Sequence, residues 1–147
     1  MGYGMLDELQ ILAKQHGVAK RIHFMDAVSQ EELLFWTASA DVGIIPYQAV
    51  DLNNYYCSPN KLFEFMQAQL PILANDLPFL RQMIVEQNIG EIAEFNSPEN
   101  YASAISAIFD NFAEKKQIYK THLIEAAKRY HWDIQGEKIL KIYKDLT

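Results

Sequence analysis

Ser58-Pro59-Asn60-Lys61-Leu62-Phe63-Glu64-Phe65-Met66-Gln67-Ala68-Gln69-Leu70-Pro71-Ile72-Leu73-Ala74-Asn75-Asp76 joins a helix start to a short apolar strand. Ser58 can accept a hydrogen bond from a first-turn amide, and Pro59, with no amide to leave unsatisfied, suits the first helical position. The spacing predicts a helix over 58–69. Leu62, Phe65 and Met66 fall at i, i+3 and i+4 and form its apolar stripe, which leaves Asn60, Lys61 and Glu64 on the less apolar side. After Pro71, the uninterrupted run Ile72-Leu73-Ala74 predicts a strand over 71–74 of the kind covered on both faces in a parallel sheet.

Outward from this stretch, helices and strands alternate. Helices are expected over 5–16, 30–39, 78–86, 98–112, 114–130 and 133–146, and strands over 21–25, 42–47 and 89–93. That order indicates an α/β, Rossmann-like parallel sheet flanked by helices, in one domain spanning 1–147. Ser29, with Glu32 three residues on, forms a capping box for the second helix. The loop from Gln48 to Cys57 leaves the C-terminal end of a strand and enters the 58–69 helix, where open α/β sheets bind ligands. Tyr56 and Cys57, at the end adjoining the helix, are candidates for ligand contact. Asp51, Asn53, Asn54 and Tyr55 fit an ordinary turn equally well.

The start of the 58–69 helix suits an anion. Unpaired amides and the helix dipole favour a phosphate there, the dipole contributing roughly 0.3–1 kcal/mol at an exposed site. Lys61 adds a full positive charge. Glu64, one turn deeper, can accept two hydroxyl donors at about 1.5–3 kcal/mol each, which matches a vicinal diol such as a ribose. A structural reading also stands: Lys61 and Glu64 are spaced as a solvated i, i+3 pair. The chain holds its own comparison in Ser97-Pro98-Glu99-Asn100, which has the same cap without the lysine and glutamate.

The stretch from Ser58 to Val85 resembles the donor-binding signature of glycosyltransferase group 1, or family 4, in the C-terminal half of GT-B glycosyltransferases. The matching positions are Ser58, Pro59, Lys61, Leu62, Glu64, Phe65 and Met66, then Pro71-Ile72-Leu73-Ala74 and Asp76-Leu77-Pro78. Arg21-Ile22-His23-Phe24, Glu31-Glu32-Leu33, Ser39 to Pro46, and Tyr130-His131-Trp132-Asp133 leading into Ile139, Leu140 and Tyr143 follow in the family's order. The resemblance implies a retaining transferase that takes a sugar from a nucleotide-diphosphate donor, of uridine type, to a polysaccharide or glycolipid acceptor. It places Tyr56, Cys57, Ser58, Pro59, Asn60, Lys61 and Glu64 at the donor, with Glu64 on the ribose and Lys61 on the diphosphate as the catalytic pair.

Departures from the pattern limit this. The first of the family's two glutamates is Tyr56 here, the glycine that ends the signature helix is Gln69, and a later glutamate is Gln82. Gly2-Tyr3-Gly4 resembles the loop after the family's second donor-domain strand, so the sequence is expected to start partway through the domain, without its first strands and the acceptor domain. The chain alone is then expected to be inactive. Its partners would be the donor, an N-terminal acceptor domain or separate subunit, and a second copy paired at an exposed sheet edge. A non-catalytic nucleotide-sugar-binding or interaction module that retains the fold is the alternative, and an unrelated doubly wound regulatory domain is a third.

Composition narrows the classes. Of 147 residues half are hydrophobic, enough for one sizeable core. No run approaches the ~18–20 apolar residues of a membrane span and no signal-peptide pattern opens the chain, so a cytoplasmic location is expected. Residues 1–112 carry five basic and fourteen acidic side chains, and residues 113–147 carry eight and five. The acidic body disfavours nucleic acid as a partner. The C-terminal lysines fit peripheral contact with an anionic membrane, and also plain solvated helix faces. The lone Cys57 and four scattered histidines have no metal-binding spacing, and with no Asp-x-Asp present the donor is expected to be held without a metal or other cofactor.

Overall fold

Three parallel strands form the centre of the computed structural model, which describes residues 5–146. The Gly2-Tyr3-Gly4 loop lies outside those residues. Strands β1 (Gly43–Ile45), β2 (Ile72–Asn75) and β3 (Gly90–Ala93) lie in that spatial order, with Gly43 opposite Ile72 and Ile72 opposite Gly90. Around them run α1 (Leu6–Gln15), α2 (Gln30–Ala38), the short α3 (Leu52–Tyr55), α4 (Asn60–Gln67), α5 (Pro78–Gln87), α6 (Pro98–Phe109), α7 (Phe112–Arg129) and α8 (Trp132–Asp145).

Both sheet faces are covered, as the unbroken apolar strands require. On one face Ile45, Ile72 and Ala74 pack with Leu62 and Met66 of α4, Leu80 and Ile84 of α5 and Leu123 of α7. On the other, Leu73 meets Phe95 and Ile108. Leu62 is fully buried, worth about 1.5–3 kcal/mol. Two glycines set the close approaches. A Cβ on Gly43 would stand 2.5 Å from the Phe65 ring, and one on Gly90 would stand 1.9 Å from the Ile72 carbonyl oxygen.

Four sequence expectations change. Residues 21–25 form no strand: a 3-10 turn (Ala19–Arg21) ends there, and residues 22–28 make no backbone hydrogen bond with any described residue. A strand needs a ladder partner, and without one Ile22, Phe24 and Met25 stay substantially exposed. The helix expected over 98–112 stops at Phe109, because Asp110 is extended and Asn111 left-handed at φ 53° before α7 begins. The 48–57 loop carries the single turn α3, capped by Asp51 accepting from the Asn54 amide at 2.7 Å.

The fourth concerns the signature helix. Ser97 caps α6 by accepting from the Asn100 amide at 3.2 Å, and the Ser29–Glu32 capping box is formed. Ser58 does neither. Pro59, extended at ψ 139°, is itself the N-cap of α4, so Ser58 lies one residue outside and its hydroxyl reaches no first-turn amide. At the other end Gln69 takes the left-handed conformation at φ 55°, the Leu70 amide donating to the Phe65 carbonyl at 2.9 Å and the Gln69 amide to the Met66 carbonyl at 3.0 Å. This is the Schellman closure that glycine normally makes. Gly17 and Asn88 close α1 and α5 with the same bond pattern.

Surface is unusually large. The chain exposes 10781 Å², against about 7,700 Å² for a compact monomer of its mass. Apolar residues without cover contribute to it: α2 and α8 contain no buried residue, and Phe35 of α2 and Tyr143 of α8 are 78% and 66% exposed.

Candidate functional site

The uncapped start of α4 is the site's first element. With Pro59 as N-cap, the Leu62 amide donates to the Pro59 carbonyl at 3.0 Å, while the amides of Asn60 and Lys61 have no acceptor among the described residues. The Lys61 side chain is exposed and makes no ion pair among the described residues. Two free donors, a positive dipole end and an ammonium thus meet at one place.

Below that start, Asn60, Phe63, Glu64 and Gln67 follow i, i+3, i+4 and i+7 on the side of α4 away from Leu62 and Met66. They floor a groove of about 680 Å³, with Gln30, Leu33, Leu34 and Thr37 of α2 on one side and the α7–α8 junction from Tyr130 to Trp132 on the other. That size suits a small ligand. Glu64 is half-buried in the groove and accepts no side-chain hydrogen bond among the described residues. Lys61 and Glu64 form no ion pair with each other.

The remaining sequence candidates divide. Asn60 and Glu64 share the groove, whereas Lys61 does not line it. Pro59 is buried, Ser58 exposed, and Cys57 packs half-buried against the core. Burial pushes the Cys57 thiol up, which leaves it a poor nucleophile. Tyr56 is 67% exposed and meets Tyr55 edge-on at 4.7 Å, away from the groove lining. Asp51 is committed to capping α3, and the Asn54 amide holds its carboxyl below the usual range. Asp76 is gripped by the Arg81 guanidinium, whose hydrogen bonds lower its carboxyl in the same way. Gln82 is exposed.

Sequence reading missed the groove's other walls. Tyr130 tilts against Phe63 with ring centroids 6.4 Å apart, and Gln67 donates to the Ala127 carbonyl at 3.2 Å, so α7 is seated along α4 across 60 residues of sequence. At the strand ends, buried Asn75 donates to the Tyr47 carbonyl at 2.7 Å and accepts from the Phe95 amide at 2.9 Å, tying the exits of β1 and β3 to β2.

The model of the family described as "Glycosyl transferases group 1" matches residues 1–111. The chain belongs to that family. It is 26% identical to a phosphatidyl-myo-inositol mannosyltransferase of Mycobacterium leprae over 98% of its own length and 37% of the relative's. It is likewise 26% identical to a D-inositol 3-phosphate glycosyltransferase of Corynebacterium diphtheriae, over 91% and 30%. Among solved structures it is similar to WaaG, a glycosyltransferase involved in lipopolysaccharide biosynthesis, with TM-score 0.62, 19% identity, and 92% and 35% of the two chains covered. The group 1 chain therefore has the GT-B α/β fold and spans about a third of the length of these relatives. Among its described residues no helix is long and apolar enough to cross a membrane.

Proposed function

We propose that this chain is the donor-binding domain of a retaining glycosyltransferase that moves a hexose from a uridine-diphosphate sugar to a polysaccharide or glycolipid acceptor. What carries the reading is the start of α4, where the unbonded Asn60 and Lys61 amides and the Lys61 ammonium stand one helical turn from the unpaired Glu64. Amides and ammonium take the diphosphate, and they stabilise it further as negative charge develops on departure from the sugar. No divalent ion is needed for that charge. Glu64 accepts the two ribose hydroxyls.

The chain alone does not turn over in this reading, because the acceptor side of the cleft belongs to the further length its relatives carry. Tyr56, in the position of the family's first carboxylate and largely exposed, favours a second reading in which the fold binds nucleotide sugar without catalysis.

Titration with uridine and guanosine diphosphates and their sugar conjugates, followed by amide chemical shifts, tests the binding. Shifts at Asn60 and Lys61 that vanish in Glu64→Ala support a donor site. Their absence in the unaltered chain overturns it. Joined to an acceptor domain, a Lys61→Ala variant with undiminished turnover would remove the leaving-group role and favour the non-catalytic reading.

A further inference from the structure

Helix α8 carries an apolar face that is left largely open to solvent. Trp132, Gly136, Ile139, Tyr143 and Leu146 recur at i, i+4, i+7, i+11 and i+14, the alternating four- and three-residue spacing of a seam between two helices. Leu140 and Ile142 widen it on either side. Ile139 is 43% exposed and Leu146 77%, and no residue of α8 is buried. A Cβ on Gly136 would meet only the Trp132 indole of its own helix, at 4.0 Å, so no other described element stands over that position.

We propose that this face docks a second copy of the chain, α8 lying antiparallel to the partner's α8 across a two-fold axis at Ile139. The seam is self-complementary in that register. Ile139 meets its own copy, Trp132 comes level with the partner's Leu146, and the partner's Tyr143 ring fills the space left open over Gly136. Charge agrees with the direction. Asp133, Glu137, Lys141 and Lys144 follow one another along a single flank of α8, acids first. Antiparallel pairing therefore sets each acid level with a lysine of the partner, whereas parallel pairing would oppose like charges. Area is available as well. The chain exposes 10781 Å², roughly 3,000 Å² more than a compact monomer of its mass. A standard interface takes about 600–1,000 Å² from each partner. Across the groove from the start of α8, α2 adds the exposed run Leu33 to Trp36. This docking is independent of the donor-site reading.

Sedimentation equilibrium of the full chain should approach twice the 17.0 kDa of one copy as concentration rises. Gly136→Leu should weaken the dimer by roughly tenfold, because the partner's Tyr143 loses its space. Leucine favours helix over glycine, so that loss is not a failure to fold. Adding Tyr143→Ala to Gly136→Leu should restore the dimer. Cys57→Ala removes the chain's one cysteine. In that background Ile139→Cys should link two chains on mild oxidation, since a position pairs with itself only near a two-fold axis. Lys141→Cys, on the opposite face of α8, should not.

A monomer at every concentration would overturn the proposal. A dimer that Gly136→Leu leaves unchanged, with no Ile139 cross-link, would overturn this seam and place the contact elsewhere, as at the sheet edge of β1. Equal linking through Ile139→Cys and Lys141→Cys would mean collision without a fixed register and overturn it too.

Discussion

Gln48 and Asn75 hold the same residue from two sides: the Gln48 amide donates to the Phe95 carbonyl at 2.6 Å, and the Asn75 carbonyl accepts from the Phe95 amide at 2.9 Å. Gln48 also approaches the hydroxyl of Tyr101, whose ring stacks on Phe95 at 4.2 Å. The exits of all three strands are thus fastened by side-chain amides at the end of the sheet where α4 begins.

The two amides should differ in cost. Asn75 is buried and both its groups are used, so Asn75→Asp sets a carboxylate oxygen against the Tyr47 carbonyl and should destabilise by about 3 kcal/mol. Gln48 is exposed, and water can replace its bond, so Gln48→Ala should cost about 1 kcal/mol. Urea unfolding of both variants measures the difference, and equal midpoints would show that the Asn75 bridge is not formed in solution.

Gln69 stands where glycine would be unstrained. A non-glycine residue in the left-handed region costs roughly 1–2 kcal/mol, part of which glycine returns through the greater entropy of its unfolded chain. Gln69→Gly should therefore stabilise the fold by about 0.5–1 kcal/mol, visible as a higher thermal midpoint. A lower midpoint would mean that the Gln69 side chain makes a contact worth more than the strain.

Gly90 has the opposite constraint. Its missing Cβ would fall on the Ile72 carbonyl, a backbone atom that cannot move without breaking the β2–β3 ladder. Gly90→Ala should cost about 3 kcal/mol or more. Gly17, left-handed but in open space, provides the comparison: Gly17→Ala meets strain alone and should cost about 1–2 kcal/mol.

Tyr119 should contribute to the alkaline loss of stability. Burial, then the charge of Glu91, then the hydrogen bond the hydroxyl donates to it at 3.2 Å raise the Tyr119 hydroxyl from 10.0 to about 12. Because the folded state holds this proton more tightly than the unfolded chain, the associated stability is intact below pH 10 and is lost as pH rises toward about 12. Tyr119→Phe should flatten that part of the stability curve. An unchanged alkaline slope would assign the loss to other groups.

How much of the molecule could be read from its residues depended on distance along the chain. The parallel α/β order, the capping box at Ser29, the apolar stripe of Leu62 and Met66 and the strand at Ile72 all follow from neighbours within four positions, where helix period, strand alternation and cap chemistry act. Asn60, Lys61 and Glu64 were marked for a ligand from that local pattern together with the family resemblance, and the structure puts Asn60 and Glu64 in one groove with Lys61 outside it. Residues 21–25 misled because an apolar run carries strand propensity but not a ladder partner, and pairing is a property of two segments.

Tertiary structure alone decided the rest. That Pro59 and not Ser58 caps α4 is seen only in the folded backbone, and with that cap the Asn60 and Lys61 amides have no acceptor among the described residues. The groove exists because the α7–α8 junction is laid against α4 by Phe63–Tyr130 packing and the Gln67–Ala127 bond, joining residues more than fifty positions apart. Sequence determined which chemistry α4 can present. Packing at long range, which no local period encodes, determined that Glu64 shares its space with Gln30 and Trp132 and not with Lys61.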